Sequence, residues 1–316
     1  MKPVIAEKTI AAIDAAIFKD QGNKYRSLLR ELLPTAEDAY REDDIPFRGH
    51  LGASLIGRTC ARELWNSFHW VTKPSFEGRM LRLFNRGHLE EPRLVALLML
   101  IGCEVWFQDE NGKQFRMKGH RGHFGGSLDA IIRGIPEMPD EPILGEFKTH
   151  NDKSFQKLLA EGVHKAKVEH YAQMQEYMGT YSLSWALYMA CNKNDDSLYC
   201  ELVPFNQESY TRFAERAAMI IDAAEPPKRI NNSPSWYQCK FCDHSPVCHG
   251  AKQPEINCRT CKHSRIVDDG LWECTNFEAK AKAEEQGWED PIEMEVKHQL
   301  EACALYEVDP NIKAKI

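Results

Sequence analysis

Apolar positions recur at helical spacing through residues 5–45, where the run from Tyr25 to Leu33 is closed by Pro34 and followed by a charged linker. A second helix-like run extends from Met80 to Leu98, and its apolar C-terminal end reads as buried. The pattern then changes to short β-rich stretches near Cys103–Phe107, Gly125–Arg133 and Ile143–Thr149. A helix around Gln173 follows. Ser184–Cys191 and Leu198–Phe205 read as two strands joined by the turn sequence Asn192-Lys193-Asn194-Asp195-Asp196. A helix from about Gln207 to Ala224 leads through Pro226-Pro227 into a cysteine-rich end. Strands bracketed by helices predict an α/β protein with a central mixed sheet flanked by helices, and a small cysteine-rich module at its C-terminus. The expected domains are a helical segment over 1–48, a core over 49–250 and the module over 251–316.

Composition supports a folded core with an appendage, since 43% of the 316 residues are hydrophobic. No apolar run reaches the roughly 18 residues of a membrane span, and no N-terminal signal or internal repeat is evident. The expectation is therefore a cytoplasmic protein with no membrane partner. The formal charge of −7 argues at first against nucleic acid. From Ala251 onward, however, nine Lys and Arg face fourteen Asp and Glu, so the tail carries −5 and the first 250 residues only −2. Arg79, Arg82, Arg86, Lys153, Lys157, Lys165 and Lys167 remain candidates for a phosphate track.

Within the strand-like stretches lies one set of residues with recognisable chemistry. Glu146 and Lys148 are two apart and share a face of their strand, while Phe147 packs behind them. Asp129 is expected to end the preceding strand and to face them across a hairpin. Hydrolysis of a phosphodiester needs a cation against the charge building on phosphoryl oxygen, and a water made nucleophilic near neutral pH. Asp129 and Glu146 suit Mg2+, which takes one or two carboxylates in an octahedral oxygen shell. Lys148 would orient the attacking water or help deprotonate it. On the upstream helix His88 and Glu91 lie three apart on one side, and either is a further ligand candidate. Gln173 and Tyr177 share a face of the downstream helix.

Gly87-x3-Glu91, Gly126-Ser127-Leu128-Asp129, Gly145-Glu146-Phe147-Lys148 and Gln173-x3-Tyr177, in that order, resemble the four motifs of the RecB-type branch of the PD-(D/E)xK nuclease superfamily. That branch includes the YqaJ and phage lambda exonuclease group, and the resemblance spans about Leu51 to Cys248. It implies a restriction-endonuclease-like core and Mg2+ or Mn2+ held by Asp129, Glu146, Phe147 and Glu91, with His88 as the alternative to Glu91. It also implies Lys148, Gln173 and Tyr177 in the catalytic set and DNA as the substrate. An exonuclease working from DNA ends, of phage or prophage origin, is the expected activity, with a single-strand annealing protein as a possible recombination partner. An endonuclease acting on single-stranded or branched DNA, or a non-catalytic DNA-binding recombination protein, are the alternatives. Ser54, Arg58 and Arg62 fall where lambda-type enzymes bind a terminal phosphate, and Arg86 and Lys153 complete the DNA-binding candidates.

Eleven cysteines without a signal peptide point to metal ligands more than to disulfides. Cys239-x2-Cys242-x5-Cys248 needs a fourth ligand, for which Cys60 is the candidate. This pattern resembles the iron-sulfur nucleases, namely the AddB-type helicase-nuclease subunit and the CRISPR adaptation nuclease, and so implies a [4Fe-4S] cluster. Zinc on the same four thiolates is the competing reading. A second quartet, Cys258, Cys261, Cys274 and Cys303, reads as a zinc ribbon in which His263 could replace Cys303. Cys103, Cys191 and Cys200 sit in apolar surroundings and are expected to be buried small hydrophobes.

Overall fold

The computed structural model describes residues 2–40, 46–285 and 293–312. The chain opens with β1 (Val4–Ile5), α1 (Glu7–Asp20), α2 (Asn23–Leu32) and α3 (Glu37–Tyr40), followed by β2 (Leu51–Gly52), α4 (Ala61–Phe68) and α5 (Gly78–Leu100). Next come β3 (Glu104–Trp106), β4 (Arg116–Gly119), β5 (Phe124–Ser127), β6 (Ala130–Arg133) and β7 (Ile143–His150). Two helices, α6 (Asp152–Ala166) and α7 (Val168–Tyr181), precede β8 (Trp185–Asn192), β9 (Leu198–Pro204) and α8 (Gln207–Ile221). The cysteine-rich end holds α9 (Tyr237–Lys240), α10 (Ser245–Cys248), β10 (Ser264–Ile266), β11 (Trp272–Cys274), α11 (Phe277–Glu285), β12 (Glu293–Met294) and α12 (Val296–Gln299).

These elements gather into two compact units that interleave along the sequence: 2–40, 76–117 and 126–211 in the first, the remaining described residues in the second. The first is built on a six-stranded sheet in the order β1-β9-β8-β7-β6-β3. β7 and β8 pair in parallel, with Glu146 beside Tyr188, and the other neighbours are antiparallel, so the α/β class with a mixed central sheet is observed. Parallel neighbours need a crossover, and α6 and α7 supply it. The alternation along β7 sends Phe147 into a core with Ile13 of α1, Leu32 of α2, Leu94 to Leu98 of α5, Ile132 of β6, Met189 of β8 and Leu202 of β9.

Gly125–Arg133, expected as one strand, is two. β5 and β6 break at Leu128 and Asp129, where Leu128 N–H bonds to Phe115 O (2.9 Å) and the Asp129 carboxylate turns to Phe147 N–H (2.7 Å). Asp129 therefore precedes its strand and does not end one. In the 5–45 stretch the helices are preceded by the two-residue β1, which extends the sheet beside β9; residues 41–45 lie outside the described residues. A separate three-stranded sheet runs β2-β5-β4.

In the second unit β10, β11 and β12 form an antiparallel sheet. Its anchor is Arg259, only 2% exposed, whose guanidinium lies 3.9 Å from the Trp70 ring centroid and 4.8 Å from that of Trp272. It donates to Phe68 O and Gly49 O (2.8 Å each) and to Gln299 Oε1 (2.6 Å), so a buried cation is satisfied by carbonyls and ring faces. Among the described residues, no helix is long and apolar enough to cross a membrane.

Candidate active site

β7 and the break ahead of β6 place the first acidic groups. Ala130 pairs with Gly145, so Asp129 stands across from Glu146. One Asp129 oxygen, Oδ2, accepts from Phe147 N–H and lies 3.4 Å from Lys148 Nζ, which also donates to Phe147 O at 3.0 Å. Lys148 makes an ion pair with Glu146 as well. Glu146 is fully buried; its Oε1 is paired closely with Lys148 Nζ, and its Oε2 has no hydrogen-bond partner among the described residues.

α5 brings up the third carboxylate. Glu91 Oε1 is 4.0 Å from His88 Nδ1, so the two first-motif candidates face each other. Burial, followed by the charge of Asp129, pushes the Glu91 carboxyl up to about 8, although 32% of the side chain stays exposed. Burial likewise raises Glu146 to about 7, against the pull of Lys148. Desolvation alone would lower the lysine, but Asp129 and Glu146 hold it well above its ordinary value. It is an ammonium here, able to orient a water but carrying no lone pair to take its proton. Three carboxyl groups thus crowd one ammonium, two of them pushed toward their neutral form; a divalent cation such as Mg2+ would stabilise the charged form of these hard oxygen donors. As the side chains stand, no group of three or more His, Cys, Asp or Glu among the described residues is drawn into a finished metal cage.

α7 closes over this set. Gln173 Nε2 donates to Tyr177 OH at 3.3 Å, and both residues are buried. The Tyr177 hydroxyl occupies the space that a Cβ at Gly126 would take, which ties the glycine of the second motif to the tyrosine of the fourth.

Sequence reasoning missed the polar chain alongside. His150 continues the Glu146 and Lys148 face of β7, and its Nε2 is 2.8 Å from Tyr188 OH, which is also 2.8 Å from His170 Nδ1 of α7. Ser154 Oγ lies 3.3 Å from His150 Nδ1 and accepts from Lys167 Nζ at 2.5 Å. Burial, then nearby lysines, lowers His150 to about 3; burial, then Lys148, lowers His170 to about 2. Period-two spacing from Glu146 through Lys148 was the available signal for His150. Nothing local pointed to Tyr188.

The DNA-binding candidates scatter. In the first unit, Arg79, Arg82 and Arg86 stand roughly 120–180° around α5 from Glu91. Arg86 donates to Lys193 O (3.2 Å), Lys157 pairs with Glu161 (3.8 Å), and Lys153 is exposed in the first turn of α6, as is Lys165 near its end. In the second unit, Ser54 accepts from Arg48 (3.1 Å), Arg58 pairs with Glu63 (2.5 Å), and Arg62 lines a cavity.

Both cysteine quartets lie in the second unit. Burial raises the Cys239 and Cys242 thiols; Cys248, Cys60 and Glu63 add to the rise in Cys239, and Glu63, Cys60 and Cys248 to that in Cys242. Cys258 is pushed up to about 12 by burial and then by Cys261, Cys303 and Cys274. His263 is engaged with Glu307 (3.0 Å), while Cys303 acts on both Cys258 and Cys274. As the side chains stand, neither quartet brings three or more thiols together closely enough to hold a metal ion among the described residues. Cys103, Cys191 and Cys200 are buried.

No family model and no curated protein matches this chain. Among solved structures, the protein SSO0001 is similar at 17% identity and a TM-score of 0.36, over 71% of this chain and 95% of its own. LHK-Exo, an alkaline exonuclease from Laribacter hongkongensis, is similar at 15% identity and a TM-score of 0.38, over 54% of this chain and 86% of its own. Its complex with dAMP gives 16% identity at the same TM-score and coverage. Likenesses this distant leave the chemistry to rest on the chain's own geometry.

Proposed function

We propose that this chain is a metal-dependent deoxyribonuclease that hydrolyses phosphodiester bonds from DNA ends, in recombination or repair. The observation that carries the reading is the gathering of Asp129, Glu146 and Glu91 about Lys148, with Oε2 of the buried Glu146 lacking a hydrogen-bond partner among the described residues. Asp129, Glu146 and Glu91, with the main chain at Phe147, would hold Mg2+ or Mn2+, which supplies charge against the developing phosphoryl charge and an acidified water. Lys148, fixed by Asp129 and Phe147 O, orients that water toward phosphorus. Gln173 and Tyr177 offer polar atoms from α7 to hold the phosphodiester, and His88 steadies Glu91. In the second unit, Cys60, Cys239, Cys242 and Cys248 would hold a [4Fe-4S] cluster, and Cys258, Cys261, Cys274 and Cys303 would hold zinc. The charge that Cys60 and Cys248 add at Cys239 and Cys242, and that Cys261, Cys303 and Cys274 add at Cys258, supports this reading.

The test is degradation of end-labelled linear DNA against a covalently closed circle, with Mg2+ or Mn2+, for wild type and Lys148→Ala. Loss of linear DNA alone, abolished by the substitution, is expected. Cutting of the circle would convert the proposal to an endonuclease. Inactivity on both forms, with the metal sites filled, would overturn hydrolysis and leave a DNA-binding role.

A further inference from the structure

A basic cavity and a group of uncovered aromatic rings lie close along one segment of the second unit, and neither is used by the proposed chemistry. Arg62, Glu225, Pro226, Lys228, Arg229, Asn232 and Asn311 line a cavity of about 350 Å3. Three cations there meet one carboxylate, and among the described residues none of the three is in an ion pair. Arg62 donates Nη1 to Pro227 O at 3.0 Å, yet its Nε, like that of Arg229, is buried without a hydrogen-bond partner. Buried guanidinium N–H groups left unmatched are costly, and an anion offering several acceptor oxygens would satisfy them.

From Asn232 the chain runs directly into the aromatic group. Trp236, Tyr237 and Phe241 are 42%, 62% and 81% exposed, whereas the other described tryptophans of this unit, Trp65, Trp70 and Trp272, are buried. The Trp236 and Tyr237 rings are 5.0 Å apart, and Lys240 Nζ sits 5.8 Å from the Phe241 ring centroid. Gln238 donates to Thr59 Oγ1 (2.7 Å), which pins this segment beside the turn that leads to Arg62. Exposed rings of this size cost free energy in water unless something covers them.

We propose that this face of the second unit binds single-stranded DNA, with a phosphodiester in the Arg62, Lys228 and Arg229 cavity and neighbouring unpaired bases stacked on Trp236, Tyr237 and Phe241. The occupant follows from the pairing of the two features. An acidic protein segment would satisfy the cations but gives flat rings little to stack on, and a duplex hides its base faces. A single strand presents backbone charge and open π-faces together. The inference rests on DNA being this chain's substrate but not on hydrolysis.

Binding of a labelled oligothymidylate, followed by anisotropy over a salt series without added Mg2+, tests it in the full-length Lys148→Ala protein with metals loaded. Lys228→Ala with Arg229→Ala should weaken binding at least about tenfold and flatten the salt dependence by about 1.4, at about 0.7 per phosphate contact on single strands. Trp236→Ala with Phe241→Ala should weaken it about as much and leave the salt slope unchanged, while Trp236→Tyr with Phe241→Tyr restores binding. Oligonucleotides with and without a 5′-phosphate should bind equally; a strong preference for the phosphorylated end would make the cavity an end-phosphate pocket and overturn the internal contact. Unchanged affinity in both alanine pairs, or equal losses on blunt hairpin duplex, would overturn the proposal. Active nuclease with these results would leave the hydrolysis reading standing, and inactive protein that still binds as expected would remove hydrolysis alone.

Discussion

Lysine donates and never accepts, and at Lys167 that fixes the direction of a hydrogen-bond chain reaching toward the candidate site. Lys167 gives a proton to Ser154 Oγ, so the serine hydroxyl points to His150 Nδ1; His150 then carries its proton on Nε2 and donates to Tyr188 OH, which donates to His170 Nδ1. Both imidazoles are thereby assigned the Nε2–H tautomer, and His170 offers an N–H beyond the chain, one turn from Gln173 on α7. Selective 15N labelling should show both histidines neutral and Nε2-protonated at pH 6. Tyr188→Phe removes the group shared by the two rings and should cost about 1–3 kcal/mol in urea unfolding for each nitrogen left unpaired. Acid adds a second test. The folded-state pKa of His150 is depressed to about 3, so the unfolded chain binds more protons from pH 6.5 downward. The stability held above pH 6.5 should fall by up to about 1.4 kcal/mol per pH unit on this residue's account, and His150→Gln should flatten that slope. An unaltered pH dependence in the variant would mean that the ring is charged in the fold.

At the level of elements, the contact between β5 and α7 carries the sharpest consequence. An alanine Cβ at Gly126 would fall on the Tyr177 hydroxyl, and Tyr177 is 1% exposed with little room to retreat. Gly126→Ala should therefore swing Tyr177 off Gln173, lower the melting temperature by a few degrees and cut DNA hydrolysis at least about tenfold, with Lys148 in place. Activity equal to wild type would show that Tyr177 does not position substrate. The elements themselves were largely legible, because β7, β8, β9 and the long helices carry clean periodicities and turn signals. The break at Leu128 and Asp129 was not, since it depends on a carboxylate capturing Phe147 N–H from another strand. β1 is too short for any period and exists because β9 offers it an edge. The candidate site was legible where two residues share a strand, as Glu146 and Lys148 do. Tyr188 joined it only through the parallel register of β7 and β8, which no local pattern encodes.

Across the molecule, the interleaved units make the cysteines a long-range matter. Cys60 and Cys239 are 179 residues apart in sequence, while Cys258, Cys261, Cys274 and Cys303 all come from the last stretch. Closing a loop of that length costs chain entropy that grows only slowly with its size, so one metal site can offset much of it. The two quartets share no residue, which makes their losses separable. Cys60→Ser should remove the iron and acid-labile sulfide, or the zinc if zinc is there, from one site while the other keeps its metal; Cys274→Ser should do the reverse. Protease sensitivity should follow the metal. The Cys60 variant is expected to open around 228–250, whereas the Cys274 variant should loosen the sheet of β10, β11 and β12, which the packing of Trp272 on Phe68 and His69 and the contacts of Arg259 with Trp70 and Phe68 then hold. Simultaneous loss of both metals from either single variant would mean that the quartets fold as one cooperative unit. Full metal content in the Cys60 variant would remove Cys60 from the first site, and the three remaining thiols would then need a ligand from elsewhere in the second unit.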